Sequence, residues 1–141
     1  MEIYEKSYRG LILWTILFPA LVIAACFVPV ESEQVTILSL NVANLGITAL
    51  MAMIVRNESV YWINSVTFEQ AKKASSEARR AFALAHLRRF AWFSAVFLLY
   101  SAAAWRLSLP WWPTVLVFAL GLIAAGLSTV RIRLEEPGTR D

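Results

Sequence analysis

The chain has 141 residues, of which 59% are hydrophobic and only 16% charged, and its mean hydropathy is +0.60. Soluble globular domains carry about a quarter charged residues, so the composition excludes that class and points to lipid. The formal charge of +3 comes without a nucleic-acid motif, and the basic residues follow apolar boundaries. Anionic headgroups, rather than nucleic acid, are the partner this charge implies.

Four runs are continuously apolar: residues 10–30, 34–55, 90–107 and 111–130. Each approaches the roughly 20 residues that a helix, rising about 1.5 Å per residue, needs to cross a hydrocarbon layer about 30 Å thick. None alternates as a barrel strand would. The predicted fold is therefore all-α: a single polytopic membrane domain of four transmembrane helices arranged as two hairpins, with a helical cytoplasmic extension between the second and third.

The first run follows Lys6 and Arg9, and Pro19 near its centre predicts a bend. Cys26 is the single cysteine, which excludes an intramolecular disulfide. Ile23-Ala24-Ala25-Cys26 resembles the signal box at which bacterial lipoproteins are cleaved and lipidated, but Glu2 and Glu5 dilute the basic leader. The favoured expectation is a small thiol packed in a membrane helix. Glu31-Ser32-Glu33 makes a minimal acidic turn, so the first two helices form a hairpin.

The second run carries a polar stripe. Gln34, Asn41 and Thr48 are seven residues apart and Asn44 lies three beyond Asn41, so the four share one helical face with Ile37 and Met51. Carboxamides at membrane depth need partners, because an unpaired amide in hydrocarbon costs several kcal/mol. The stripe reads either as interhelical glue or, around the axis of an oligomer, as the lining of a neutral hydrated path.

Residues 56–89 are too long for a plain loop and read as helix. Thr67 and Gln70 have capping-box spacing, no Gly or Pro interrupts Phe68 to Phe90, and Ala71, Ala74, Ala78, Ala81, Phe82 and Ala85 form an apolar stripe. An unbroken helix from Thr67 to Trp105 would be about 58 Å long and would project into the cytoplasm, with a bend expected near Arg88. Lys72, Lys73, Arg79, Arg80, Arg88 and Arg89 are the candidate contacts to lipid or a partner, and His86 is expected on the same basic surface. Glu58 and Glu69 are the nearby acids, for which pairing with arginine is the favoured role. A pocket lined by Asn57, Glu58, Asn64 and Glu69 beside Trp62 is the alternative.

Ser94, Ser101 and the run Ala102 to Ala104 give the third membrane helix a small face. Pro110 and Pro113 stand where a fourth helix can begin. That helix holds Gly121, Ala125 and Gly126, a small-residue ridge for close helix packing. A polar tail spans residues 131–141, and its part from Glu135 to Asp141 is expected to fray.

Of the 13 Lys and Arg residues all but Arg106 fall on one side of this arrangement. The excess of Lys and Arg in cytoplasmic loops then predicts both termini and the 56–89 segment in the cytoplasm, in a bacterial inner membrane. The apolar runs hold no Asp or Glu and no Lys or Arg before their last residues, so proton-coupled transport and intramembrane catalysis are not expected. No catalytic residue, metal site or cofactor is assigned. The functional expectation is a small non-enzymatic protein that oligomerises or serves as an accessory subunit of a membrane complex through its basic cytoplasmic helices. A homo-oligomeric channel lined by Asn41, Asn44 and Thr48 is the alternative, and an enzyme holding a lipid phosphate near Trp62 ranks third.

Overall fold

Five α-helices make up the computed structural model, which describes residues 4–63 and 65–134: α1 (Arg9–Ala25), α2 (Ser32–Asn57), α3 (Phe68–Lys73), α4 (Ser76–Arg106) and α5 (Trp111–Thr129). A 3-10 turn, Val60–Trp62, follows α2, and there is no strand among the described residues. Asn64 and residues 135–141, with Arg140 and most of the expected tail, lie outside this range. Three helices, α2, α4 and α5, are long and apolar enough to cross a membrane; α1 is an apolar helix of 17 residues. The chain is thus helical and suited to a membrane.

The first predicted run is divided. Helix α1 passes through Pro19 but ends at Ala25, and residues 26–30 form turns around Pro29. Helix α2 lies beside it through a close approach at Gly46, whose carbonyl accepts a hydrogen bond from Trp14 Nε1 at 2.9 Å. The Phe18 ring occupies the space a β-carbon there would need, 2.3 Å from its position, and stacks on Trp14 at 4.6 Å. At the far end of the α4–α5 hairpin, Phe93 of α4 covers Gly121 of α5 in the same way and meets Phe118. Helices α2 and α4 make the most extensive pairing of the fold.

The single long helix expected from Thr67 onward is broken at Ala74 and Ser75. Thr67 and Gln70 complete the predicted capping box of α3. Two residues then adopt extended backbone, and the Ser75 hydroxyl accepts from Ala78 N–H to start α4. From there α4 is continuous for 31 residues, about 46 Å, and passes Arg88 without interruption. Past Ala74 the chain starts α4, while α3 packs on the Val60–Trp62 turn. Ile54, Val60, Tyr61, Val66, Ala71, Phe82 and Ala83 form a buried cluster between them. Ile132 and Leu134 pack on the same cluster, so the start of the expected tail is held against it.

Both α2 and α4 end in left-handed residues that are not glycine. After α4, Ser108 (φ 49°) lets Leu109 N–H reach Ala104 O; after α2, Glu58 (φ 53°) lets Ser59 N–H reach Ile54 O. This is the usual closure of a helix C-terminus, but the position strongly favours Gly or Asn. A glutamate held there implies that its side chain is needed.

Candidate functional site

Two polar constellations stand out, one along the membrane helices and one at the end where α3 folds back. In the first, Asn44 is only 1% exposed and its amide donates to Ser94 Oγ at 3.0 Å and Ser94 O at 3.3 Å. Two turns away Ser101 Oγ donates to Asn41 Oδ1 at 3.1 Å, while the Asn41 amide returns to Ile37 O at 2.9 Å. The Thr48 hydroxyl donates to Asn44 O within its own helix. Gln34 is separate from these contacts: with Ile37, Ser108 and Pro110 it lines a 280 Å³ pocket where the two hairpin turns meet. Asn41, Asn44 and Thr48 thus form a seam within one chain, and their principal partners are Ser94 and Ser101 of α4.

Thr114 belongs to the same class of residue but has no partner. It is fully buried in the first turn of α5, and its Oγ1 makes no hydrogen bond. Thr114→Val keeps the shape and removes a desolvated hydroxyl, so we expect stability to rise by about 1 kcal/mol. A lower melting temperature of the variant in nanodiscs would contradict this.

The second constellation centres on Glu58 and Arg79. Arg79 Nη2 and Nε reach Glu58 Oε2 at 2.8 and 3.0 Å, Arg79 Nη1 donates to Ala74 O at 2.6 Å and to Ala71 O at 3.3 Å, and Ser76 Oγ donates to Glu58 Oε1 at 2.6 Å. One guanidinium therefore satisfies the last carbonyls of α3 and ties the C-terminus of α2 to the N-terminus of α4. The Tyr4 ring covers it at 4.1 Å and stacks on Phe68, while the Tyr4 hydroxyl donates to Glu58 O. Beside it, Tyr61 Oη accepts from Ser7 N–H and donates to Ser7 O, both at 2.7 Å. The segment before α1 is thereby strapped over the fold.

Arg79 was expected to face outward with the other basic residues. It is 6% exposed and turned inward, because Glu58, 21 residues earlier in the chain, and the α3 carbonyls need its charge. His86 departs from expectation as well: it is 4% exposed, tilted against the Phe82 ring with centroids 4.5 Å apart, with Nδ1 at 3.0 Å from Phe82 O. Lys72, Lys73, Arg80, Arg88 and Arg89 are exposed, and Glu58–Arg79 is the one ion pair among the described residues. Of the pocket considered beside Trp62, Glu58 takes part in the ion pair, Asn57 and Glu69 are exposed, and Asn64 lies outside the described residues.

Burial pushes the Tyr4 phenol up to about 12 against an opposing pull from the Arg79 charge. Its folded-state pKa exceeds its ordinary value of about 10, so the protonated form stabilises the fold below pH 10 and that contribution is lost as pH rises toward 12. We expect the strap to loosen only above pH 10, seen as faster amide exchange at residues 4–8 relative to a Tyr4→Phe variant. An equal change in both would contradict it.

Within the predicted ridge of α5, Gly121 lies under Phe93, Ala125 is buried, and nothing stands within 4 Å of the β-carbon position at Gly126. Cys26 is exposed, with Sγ 3.5 Å from Ser39 Oγ of α2. No group of His, Cys, Asp and Glu suited to a metal ion occurs among the described residues. Compared with known protein families, with characterised proteins and with solved structures, the chain matches none at a significant level.

Proposed function

We propose that this is a four-span protein of a bacterial inner membrane, with both termini cytoplasmic, that acts by assembly: it associates with a second copy or a larger membrane protein through its folded cytoplasmic end and carries out no chemistry of its own. The observation that supports this best is the contrast between a polar seam paired within the chain and a cytoplasmic end whose exposed cations Lys72, Lys73 and Arg80 form no ion pair among the described residues. The strap and the Glu58–Arg79 pair hold α3 and the start of α4 as a fixed surface, which lowers the ordering cost of binding a partner.

Topology is tested in a Cys26→Ser background. Glu31→Cys should react with an impermeant maleimide added outside intact cells, and Lys72→Cys only after permeabilisation. The reverse pattern, or labelling of both from one side, would refute the orientation.

The alternative, flux through a ring of copies, has less support because Asn44, its most deeply placed lining residue, is buried against Ser94. It retains a direct test: Asn44→Leu in liposomes should leave ion and small-solute flux at the background of empty vesicles, as should the unaltered protein. Flux in the unaltered protein that the substitution abolishes would revive the channel.

A further inference from the structure

Six arginines, Arg9, Arg56, Arg88, Arg89, Arg131 and Arg133, surround the end of the bundle, and α1, α2, α4 and the segment after α5 each contribute. All are exposed, and among the described residues none forms an ion pair. Lys72 and Lys73 are interspersed with Glu69 and Glu77, and Glu135 and Glu136, outside the described residues, follow Arg133. No acid occupies the first turn of α1 or the last turn of α5, none lies between residues 78 and 106, and Glu58, near Arg56, is occupied by Arg79.

Next to these arginines the exposed surface becomes apolar. Ile12 and Leu13 follow Arg9, Trp92 at 74% exposure follows Arg88 and Arg89, and Leu127 and Val130, the latter also 74% exposed, precede Arg131. Contacts fix the levels. Gly10 lies against Met53 and Trp62, and Ile54, Phe82 and Ile132 meet in the buried cluster. Arg9, Arg56 and Arg131 therefore stand near one height. Arg88 and Arg89 lie six and seven residues along α4 from Phe82, about 9–10 Å. That spread exceeds one headgroup layer, roughly 5–7 Å deep, by no more than long arginine stems can span.

We infer that these six arginines form a collar that selects anionic phospholipids from the surrounding leaflet, each guanidinium presenting the forked donors that match a phosphodiester. The inference rests on the four-span membrane reading and not on any protein partner. The occupant is a lipid rather than a soluble phosphate because Arg9, Arg88, Arg89 and Arg131 adjoin exposed apolar surface that an acyl chain would cover.

The test is native mass spectrometry of the protein released from nanodiscs of equimolar phosphatidylcholine and phosphatidylglycerol. A cation near the surface is worth about 1 kcal/mol of attraction to an anionic leaflet, so retained phosphatidylglycerol should exceed phosphatidylcholine about fivefold. Replacing Arg88, Arg89, Arg131 and Arg133 with Gln should bring the ratio toward one. The same positions changed to Lys, which preserves the charge needed for insertion, should give an intermediate value. Lys72→Glu with Lys73→Glu should leave the ratio unchanged. Equal retention of the two lipids by the unaltered protein, or one ratio across the Gln and Lys variants, would overturn the collar. Loss of phosphatidylglycerol on adding millimolar inorganic phosphate would also overturn it, by assigning the site to a soluble anion. These readouts are independent of whether the chain is released alone or in a complex, so the collar and the assembly proposal can fail separately.

Discussion

Arg79→Leu should be the most damaging single substitution outside the membrane helices, lowering stability by about 3 kcal/mol. The change leaves the Glu58 carboxylate without its charge partner and the Ala71 and Ala74 carbonyls without a donor. Removing one member of a buried ion pair typically costs about 3–5 kcal/mol, and the partial exposure of Glu58, 21% of its side chain, argues for the lower end. The loss should be local first. Without the guanidinium the end of α2 is tied to the start of α4 only by the Ser76 hydroxyl on the Glu58 carboxylate, and Glu58 would remain in a left-handed backbone without its charge partner. Hydrogen exchange should therefore accelerate in α3 and in residues 4–8 before the membrane helices respond. Glu58→Gln combined with Arg79→Leu should be less harmful than the sum of the single changes, because the double variant strands no charge. Strict additivity, or an Arg79→Leu protein as stable as the parent, would show that the pair is not the keystone described above.

Gly46→Leu should be nearly as severe by a different route. A β-carbon at residue 46 would fall 2.3 Å from Phe18 Cδ2, and a full leucine would have to displace the Trp14–Phe18 stack. Overpacking of this kind costs roughly 1–3 kcal/mol. The Trp14 Nε1 bond to Gly46 O would lengthen or break as α1 moved away. The expected result is a melting temperature several degrees lower and a shifted tryptophan emission, with Cys26 further from α2 and more reactive in detergent. An unchanged melting temperature would mean that α1 is held elsewhere. Gly126→Leu supplies the contrast, since nothing lies within 4 Å of its β-carbon position and little loss of stability is expected.

Where a feature was local, the sequence disclosed it. The capping box at Thr67 and Gln70 needs only residues three apart, the proline start of α5 needs only the knowledge that a helix leaves its first N–H groups unused, and the apolar runs locate α2, α5 and the end of α4 within a few residues. The break at Ala74 was not legible in the same way. Alanine and serine do not interrupt a helix by propensity, and what ends α3 is the Arg79 guanidinium on its terminal carbonyls together with the Ser75 cap. Arg79 itself was placed among outward-facing cations because periodicity carries no information about a carboxylate 21 residues away. His86 shows the same limit: it was assigned to a basic surface, yet the fold turns it against Phe82. In the membrane seam the demand of Asn41 and Asn44 for partners was clear, while Ser94 and Ser101 read as small packing residues and only the α2–α4 register joins them. The membrane-edge arginines carried their meaning in one dimension as a topological signal; their arrangement as a collar required the four chain segments to be brought together.

Native mass spectrometry of complexes extracted from the host membrane into nanodiscs decides whether the proposed cytoplasmic end, and not a path through the bundle, is the working surface. Species heavier than the 15.9 kDa chain, containing a second copy or a partner protein, are expected, giving way to the single chain when Lys72, Lys73 and Arg80 are changed together to Glu. A single chain in the unaltered protein, or a complex that survives the charge reversal, would contradict it.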